Sequence, residues 1–279
     1  MKRKRNFEEL NKLKVISWNC NGLHALFKKK GIKKFFRKKN PGIVCFQETK
    51  LSSEDVQSTS FKTIFAENYT VYNNYSKSKP GSSGVMVLVK KSLELVPKTV
   101  IFDGENLGRM ITLEFDKFVL ICLYNPNSGF DDKKDQDKLN YRVESWDKMV
   151  RTFVKKNYTD LNKQVIICGD LNVSPKNEDI YKGYNYKTAQ NIILKQRESF
   201  DVFMKECDLV DVYREFNPDE TKFTYFSNRG SARKNNKGRR LDFFLSTRGM
   251  KKNISSFRVY MRQKGSDHVP IRILISFTK

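Results

Sequence analysis

Apolar residues in this chain gather in short, dense runs more often than in long amphipathic stretches. Such runs fall at 14–20, 42–47, 69–75, 85–90, 93–100, 110–115, 118–124, 165–168, 241–246 and 271–277. Their length and their Val, Ile and Phe content predict strands. Several, such as FVLICLY and VIIC, are apolar at every position, as in a sheet buried on both faces. Two segments follow a helical period instead. In 142–156, Val143, Trp146, Val150, Phe153 and Val154 share one face, and in 198–207, Phe200, Phe203, Met204 and Cys207 do the same. Strands interleaved with helices predict an α/β protein with two packed β-sheets flanked by helices. No Pro/Gly/Ser-rich linker or short-period repeat divides the pattern, so one domain over 14–279 is expected behind a basic tail at 1–13.

With 279 residues, 38% of them apolar, the chain is long enough to bury a large core, and no run reaches the roughly 18 apolar residues of a membrane helix. The first residues, MKRKRNFEELNKLK, lack an apolar segment and include Glu8 and Glu9, unlike a secretory or mitochondrial leader. Five cysteines without a C-x-x-C pair predict buried free thiols in a reducing compartment.

Charge narrows the picture. Lys and Arg number 54 against 31 Asp and Glu, a net +23, which favours a polyanionic partner. The excess concentrates in 1–40 and 221–241, although a lysine-rich surface is a competing reading. The KRKR at residues 2–5 reads as a nuclear-import signal or a DNA-touching arm.

Polar residues cluster where the apolar runs end: Ser17 to Gly22, Gln47-Glu48-Thr49, Tyr124-Asn125-Pro126-Asn127, Gly169-Asp170-Leu171-Asn172 and Ser266-Asp267-His268. One such cluster is an ordinary turn; five in succession point to a shared cleft. His24 and His268 are the only histidines, so a multi-histidine zinc site cannot be built. Carboxylate and amide oxygens suit Mg²⁺ or Mn²⁺ instead, and that inventory fits phosphodiester hydrolysis better than acyl transfer. No phosphate-binding glycine motif supports use of a nucleoside triphosphate or dinucleotide.

The set LKVISWNCNGL, VCFQETKL, SSGV, LYNPNSG, ICGDLNV, RRLDFFL and GSDHVPI resembles the exodeoxyribonuclease III family of apurinic/apyrimidinic endonucleases, within the endonuclease/exonuclease/phosphatase superfamily. G-D-x-N and S-D-H mark only the superfamily, whereas WNxNGL with QETK, YxPNxG and RLDxxL narrow the resemblance to the DNA-repair branch. It implies a four-layered α/β sandwich acting on duplex DNA with abasic sites or blocked 3′ ends; a monomer is expected, in the nucleus of a eukaryote, which the KRKR tail fits, or otherwise in the cytoplasm. It also implies roles. Glu48 would hold the metal, with Asn21 and Asp267 near it or its waters. Asp170 would orient or deprotonate the attacking water, fixed by Asn172 and Asn19. His268, held by Asp242, would meet the scissile phosphate, and Tyr124 and Asn127 would contact its oxygens.

The departures lie in the DNA-facing loops. His24 stands where the family has Arg, with Lys29 and its neighbours as compensating cations, and Ser82 replaces an aromatic. The slot for an extruded abasic sugar, usually aromatic-walled, has Arg239 and Leu241 just before Asp242, with Phe223 as the expected aromatic; Asn185 remains from another contact loop. Abasic-site cleavage with 3′–5′ exonuclease or 3′-end processing is the leading expectation. An RNA-cutting relative, a retroelement-type endonuclease and a DNA-binding module without activity are the alternatives.

Overall fold

Twelve strands form two six-stranded sheets packed face to face in a computed structural model that describes residues 12–57, 65, 67–100, 107–184 and 187–277. The basic tail through residue 11 and Asn185 lie outside the described residues. In chain order the strands are β1 (Leu13–Asn19), β2 (Ile43–Gln47), β3 (Tyr69–Asn74), β4 (Val85–Lys90), β5 (Lys98–Val100), β6 (Met110–Glu114), β7 (Val119–Tyr124), β8 (Val165–Asp170), β9 (Leu209–Asp211), β10 (Asp242–Thr247), β11 (Ile254–Val259) and β12 (Ile271–Ile275). One sheet runs β11-β12-β1-β2-β4-β3 and the other β5-β6-β7-β8-β10-β9. Each has one parallel pair near its middle, β1 with β2 and β7 with β8.

Both faces of each sheet are covered, which explains the continuous apolar runs. Val15, Cys45, Val87, Leu120, Cys122, Ile166, Cys168 and Phe244 fill the space between the sheets. Outside the first sheet, Ile16, Trp18, Val44 and Phe46 pack on Leu23 and Leu26 of α1 (Leu23–Lys28) and on Ile32 and Phe35 of α2 (Ile32–Lys39). Outside the second, Ile121, Leu123, Ile167, Phe243 and Leu245 meet Val150 and Val154 of α3 (Asp147–Val154) and Phe200 and Phe203 of α4 (Gln190–Glu206). These three apolar layers make the expected four-layered sandwich. All five cysteines are buried and unpaired, and among the described residues no helix is long and apolar enough to cross a membrane.

The expected strand at 93–100 shortens to β5 because Pro97 has no N–H for a ladder, and Lys91–Leu93 form a 3₁₀ turn. The helix expected at 198–207 begins at Gln190. Around α3 two π-helical stretches, Tyr141–Trp146 and Lys155–Thr159, shift the helical phase. Trp146, Val150 and Val154 therefore stay buried, while Val143 and Phe153 are only partly covered.

Candidate active site

Side chains alternate along a strand, so the positions facing the inter-sheet core can be followed to the strand ends. Along β7 these are Leu120, Cys122 and then Tyr124; along β8, Ile166, Cys168 and then Asp170. On β1 the row passes Val15 to Asn19, and on β10 it runs from Phe244 back to Asp242. The cleft is thus the polar continuation of the central core. The register aligns it: Tyr124 pairs with Asp170 across β7 and β8, and Asp170 with Asp242 across β8 and β10. Gly169 lets β7 and β8 approach this closely, since a Cβ there would stand 1.8 Å from the Leu123 carbonyl oxygen at a φ of +142°.

Asn19, fully buried, joins the two sheets. Its Nδ2 donates to Glu48 Oε1 and to Asp170 Oδ2, both at 2.9 Å, and its Oδ1 accepts from the Asn21 N–H at 3.1 Å. Asp170 Oδ1 also accepts from the Asn172 N–H at 2.9 Å, and Asn172 Nδ2 donates to the Asn125 carbonyl. Asn21, Glu48 and Asn172 have φ of +46°, +50° and +48°. Left-handed backbone costs a non-glycine residue roughly 1 kcal/mol, and here it turns the chain sharply at the strand ends.

His268 sits opposite. Its Nδ1 lies 2.7 Å from Asp242 Oδ2 and its Nε2 is 3.7 Å from Asp170 Oδ2. Its carbonyl accepts from Trp18 Nε1 at 3.1 Å, which ties the loop before β12 to β1. Burial works against a charged imidazole, but Asp242 and Asp170 outweigh it and push the pKa up to about 10. Burial pushes Asp170 up to about 7, with His268 opposing and Asp242 and Glu48 adding to the rise. The pair therefore places a carboxyl that titrates near neutrality beside an imidazolium, as required of a base and an anion-binding donor. Burial, followed by the Glu48 and Asp170 charges, keeps the Tyr124 phenol protonated well above its usual range, so it serves as a donor. Arg109 stacks on its ring at 4.6 Å. Asn127 is exposed, and its Oδ1 accepts from the Gly129 N–H at 2.7 Å, a contact that does not use the donor end of the amide.

Glu48, Asn21 and Asp267 form the oxygen-rich side of the cleft. Asn21 Nδ2 donates to Asp267 Oδ1 at 3.1 Å, while the Lys50 ammonium bonds to Asn21 Oδ1 and stands 3.4 Å from Glu48 Oε2. An ammonium already drawn to these oxygens shows that they attract a cation. Among the described residues no three Asp, Glu, His or Cys side chains form a metal cage. The carboxylate and amide oxygens of Glu48, Asn21 and Asp267 are of the type that suits a hard divalent ion.

A nuclease can be assembled from these parts, and known proteins agree. The sequence matches the Endonuclease/Exonuclease/phosphatase family over residues 16–268. The chain belongs to that family. Among its relatives, it is 32% identical over 270 residues to a DNA-(apurinic or apyrimidinic site) endonuclease of Dictyostelium discoideum, covering 96% of this chain and 72% of the relative. It is 31% identical over 266 residues to an exodeoxyribonuclease of Bacillus subtilis, covering 95% of this chain and all of the relative. An AP endonuclease of Leishmania major has the same fold, with a TM-score of 0.84 at 24% identity, over 96% of this chain and 89% of that one. Within the family the chain therefore stands on the AP endonuclease and exodeoxyribonuclease branch, and it is a nuclease.

The structure places the DNA-facing candidates less uniformly. Phe223, expected on the wall of the sugar slot, is buried with Phe226 and Val269. The reason is a β-bulge: the N–H groups of Thr224 and Tyr225 both donate to the Arg239 carbonyl at 2.9 Å, which reverses the facing of the chain between 223 and 225. Tyr225, not Phe223, therefore lies against His268, with ring centroids 5.0 Å apart. Leu241 is buried, its N–H on Thr224 Oγ1, which also accepts from the Asp242 N–H. Lys29 donates to the Gly265 carbonyl at 2.9 Å and braces the loop before Asp267. In the basic 221–241 segment, Arg233 bonds to the carbonyls of Met261, Gln263 and Ser266, and Arg240 pairs with Asp179 and Asp211. Those two cations hold loops instead of facing solvent. Lys50 and Tyr225 are the residues that sequence reasoning passed over; the Q-E-T-K motif carried the signal for Lys50, whereas the bulge left none for Tyr225.

Proposed function

We propose that the protein is a Mg²⁺-dependent endonuclease, with Mn²⁺ as a substitute, that cuts duplex DNA on the 5′ side of abasic sites and also processes 3′ ends in base-excision repair. The observation that carries this reading is the hydrogen-bonded row Glu48, Asn19, Asp170, which meets His268 and Asp242 across the cleft. Asp170 holds and deprotonates the attacking water, with Asn19 and Asn172 fixing the carboxylate. His268, Tyr124 and Asn127 donate to phosphate oxygens as negative charge grows on them. Glu48, Asn21 and Asp267 would hold the metal, whose chemistry is to neutralise phosphate charge. Support for DNA as the substrate comes from the relatives' printed activities and from the +23 charge. The test incubates the protein with Mg²⁺ and three labelled duplexes carrying an internal abasic site, a nick, or an RNA strand in place of DNA. Incision at the abasic site is expected, and inertness there with cleavage of RNA would overturn the reading.

A further inference from the structure

Arg239 and Arg240 are neighbours with opposite surroundings. Arg240 is neutralised by two carboxylates, Asp179 at 2.7 Å and Asp211 at 2.7 Å. Arg239 is only 7% exposed, yet among the described residues it has no carboxylate within ion-pair distance. Its Nε donates to Ser174 Oγ at 3.3 Å, and its guanidinium lies 5.5 Å from the centre of the Phe130 ring. Neither contact neutralises a buried charge, which is costly to leave without an anion.

Its position says where that anion would sit. Tyr225 pairs with Arg239 on one side and with His268 on the other, both antiparallel. Residues directly opposite in such pairs share a face, so Arg239, Tyr225 and His268 stand in one row across the cleft. Burial lowers the Arg239 pKa, while the Asp170 carboxylate works against that fall, so Asp170 acts on both His268 and Arg239.

We propose that Arg239 is a specificity-determining residue, which makes the wall beside the catalytic row a binding site for the outer oxygen of a 3′-terminal phosphate. This rests on the reading of the cleft as a phosphodiesterase site. In an internal diester, the fourth oxygen on phosphorus leads into the next sugar, which an apolar wall suits. In a terminal monoester that oxygen carries a second negative charge and needs a cation. Hydrolysis then follows the same course: water adds to phosphorus, the bond from phosphorus to O3′ breaks, and O3′ takes up a proton. The products are a 3′-hydroxyl end and inorganic phosphate. The chain should therefore favour 3′-phosphate ends over internal abasic sites more strongly than it would with an aromatic at position 239.

The test measures kcat/KM on a nicked duplex ending in 3′-phosphate and on a duplex with an internal abasic site, for the wild type, Arg239→Met, Arg239→Trp and Arg239→Lys. The ratio of phosphate to abasic cleavage should fall about tenfold or more in the Met and Trp variants and be partly kept in the Lys variant, as expected for one lost charge-assisted contact. An unchanged ratio would overturn the proposal. A measurement on the wild type alone guards against misfolded variants: in EDTA, fluorescence anisotropy should show tighter binding of the 3′-phosphate duplex than of the same duplex ending in 3′-hydroxyl. Equal affinities would also overturn it. A wild type inert on both substrates with Mg²⁺ would instead sink the underlying phosphodiesterase reading.

Discussion

Asp242 Oδ2 lies 2.7 Å from His268 Nδ1, and both side chains are almost wholly buried. A carboxylate at that distance fixes a proton on Nδ1 and turns Nε2 towards the cleft. The other Asp242 oxygen, Oδ1, has no hydrogen-bond partner among the described residues, so the carboxylate is committed to the imidazole. The arrangement keeps His268 charged at neutral pH, available as a donor to phosphate.

Replacing that carboxylate tests the role of the pair. The folded pKa of His268, up to about 10, means that the charged form persists at neutral pH and is lost as pH rises through that value. Asp242→Asn should lower kcat on the order of 10²-fold or more, the usual scale for loss of a positioned acid or base. It should also move the high-pH limb of the rate profile downwards, while affinity for duplex DNA changes little. Loss of DNA affinity matching the loss of rate would show that His268 serves only to bind.

On the proposed mechanism the low-pH limb belongs to Asp170. Burial raises its pKa to about 7, so the carboxylate needed to accept a proton from water forms as pH rises through that value. Asn19 Nδ2 donates to the charged form and so holds this pKa down. At a fixed saturating Mg²⁺ concentration, Asn19→Ala should therefore shift the low-pH limb upwards by about one pH unit, whatever happens to the plateau. A limb that stays in place would remove Asp170 as the titrating base.

The candidate cleft was legible in the sequence because its residues end strands whose apolar runs are unmistakable. Asn19, Tyr124 and Asp170 are the last residues of β1, β7 and β8, and Asp242 is the first of β10. Less of the periphery could be read. Edge strand β11 carries Ser255, Ser256 and Arg258, and three-residue β9 is too short for a periodic signal. Helix α2 is mostly lysine, arginine and phenylalanine and shows its apolar face only once Trp18 is beneath it. That Tyr225 and not Phe223 lies against His268 was hidden for a different reason: a bulge adds one residue and leaves no compositional mark.

On the proposed assignment, Lys50 would compete with the metal for the same oxygens. Its ammonium bonds to Asn21 Oδ1 and stands 3.4 Å from Glu48 Oε2, so a divalent ion bound there must displace it or tolerate its charge. Removing a like charge at such a distance is worth about 1 kcal/mol even when water screens it, or about fivefold in affinity. Without DNA present, Lys50→Met should lower the half-saturating Mn²⁺ concentration about fivefold, read by the electron paramagnetic resonance of free Mn²⁺. Glu48→Gln should raise it. If Lys50→Met binds Mn²⁺ no more tightly than the wild type, the cation lies elsewhere.

Stability close to the cleft depends on a buried charge cluster. Asp179, fully buried, accepts from Arg240 Nε at 2.7 Å, Arg214 Nη2 at 2.5 Å and the Lys176 N–H at 3.1 Å, while Arg240 also reaches Asp211. Burial pushes the Asp179 pKa up, but the two guanidiniums more than offset it and the net shift is downwards. The carboxylate therefore stabilises the fold fully above its unfolded pKa of about 3.9, and that contribution fades as pH falls through the lower folded value. Asp179→Asn leaves Arg240 with Asp211 alone and Arg214 with only the exposed Glu178, 3.9 Å away, and breaking a buried pair in this way costs about 3 kcal/mol or more. Urea unfolding at pH 7 should show that loss, and the variant should also lose the acid-dependent part of the wild-type curve below pH 4. Adding Arg240→Met should recover part of the stability, because the unpaired charge is then gone. If the double variant is less stable than Asp179→Asn by the full cost of Arg240→Met alone, the two residues act independently and the cluster is not one unit.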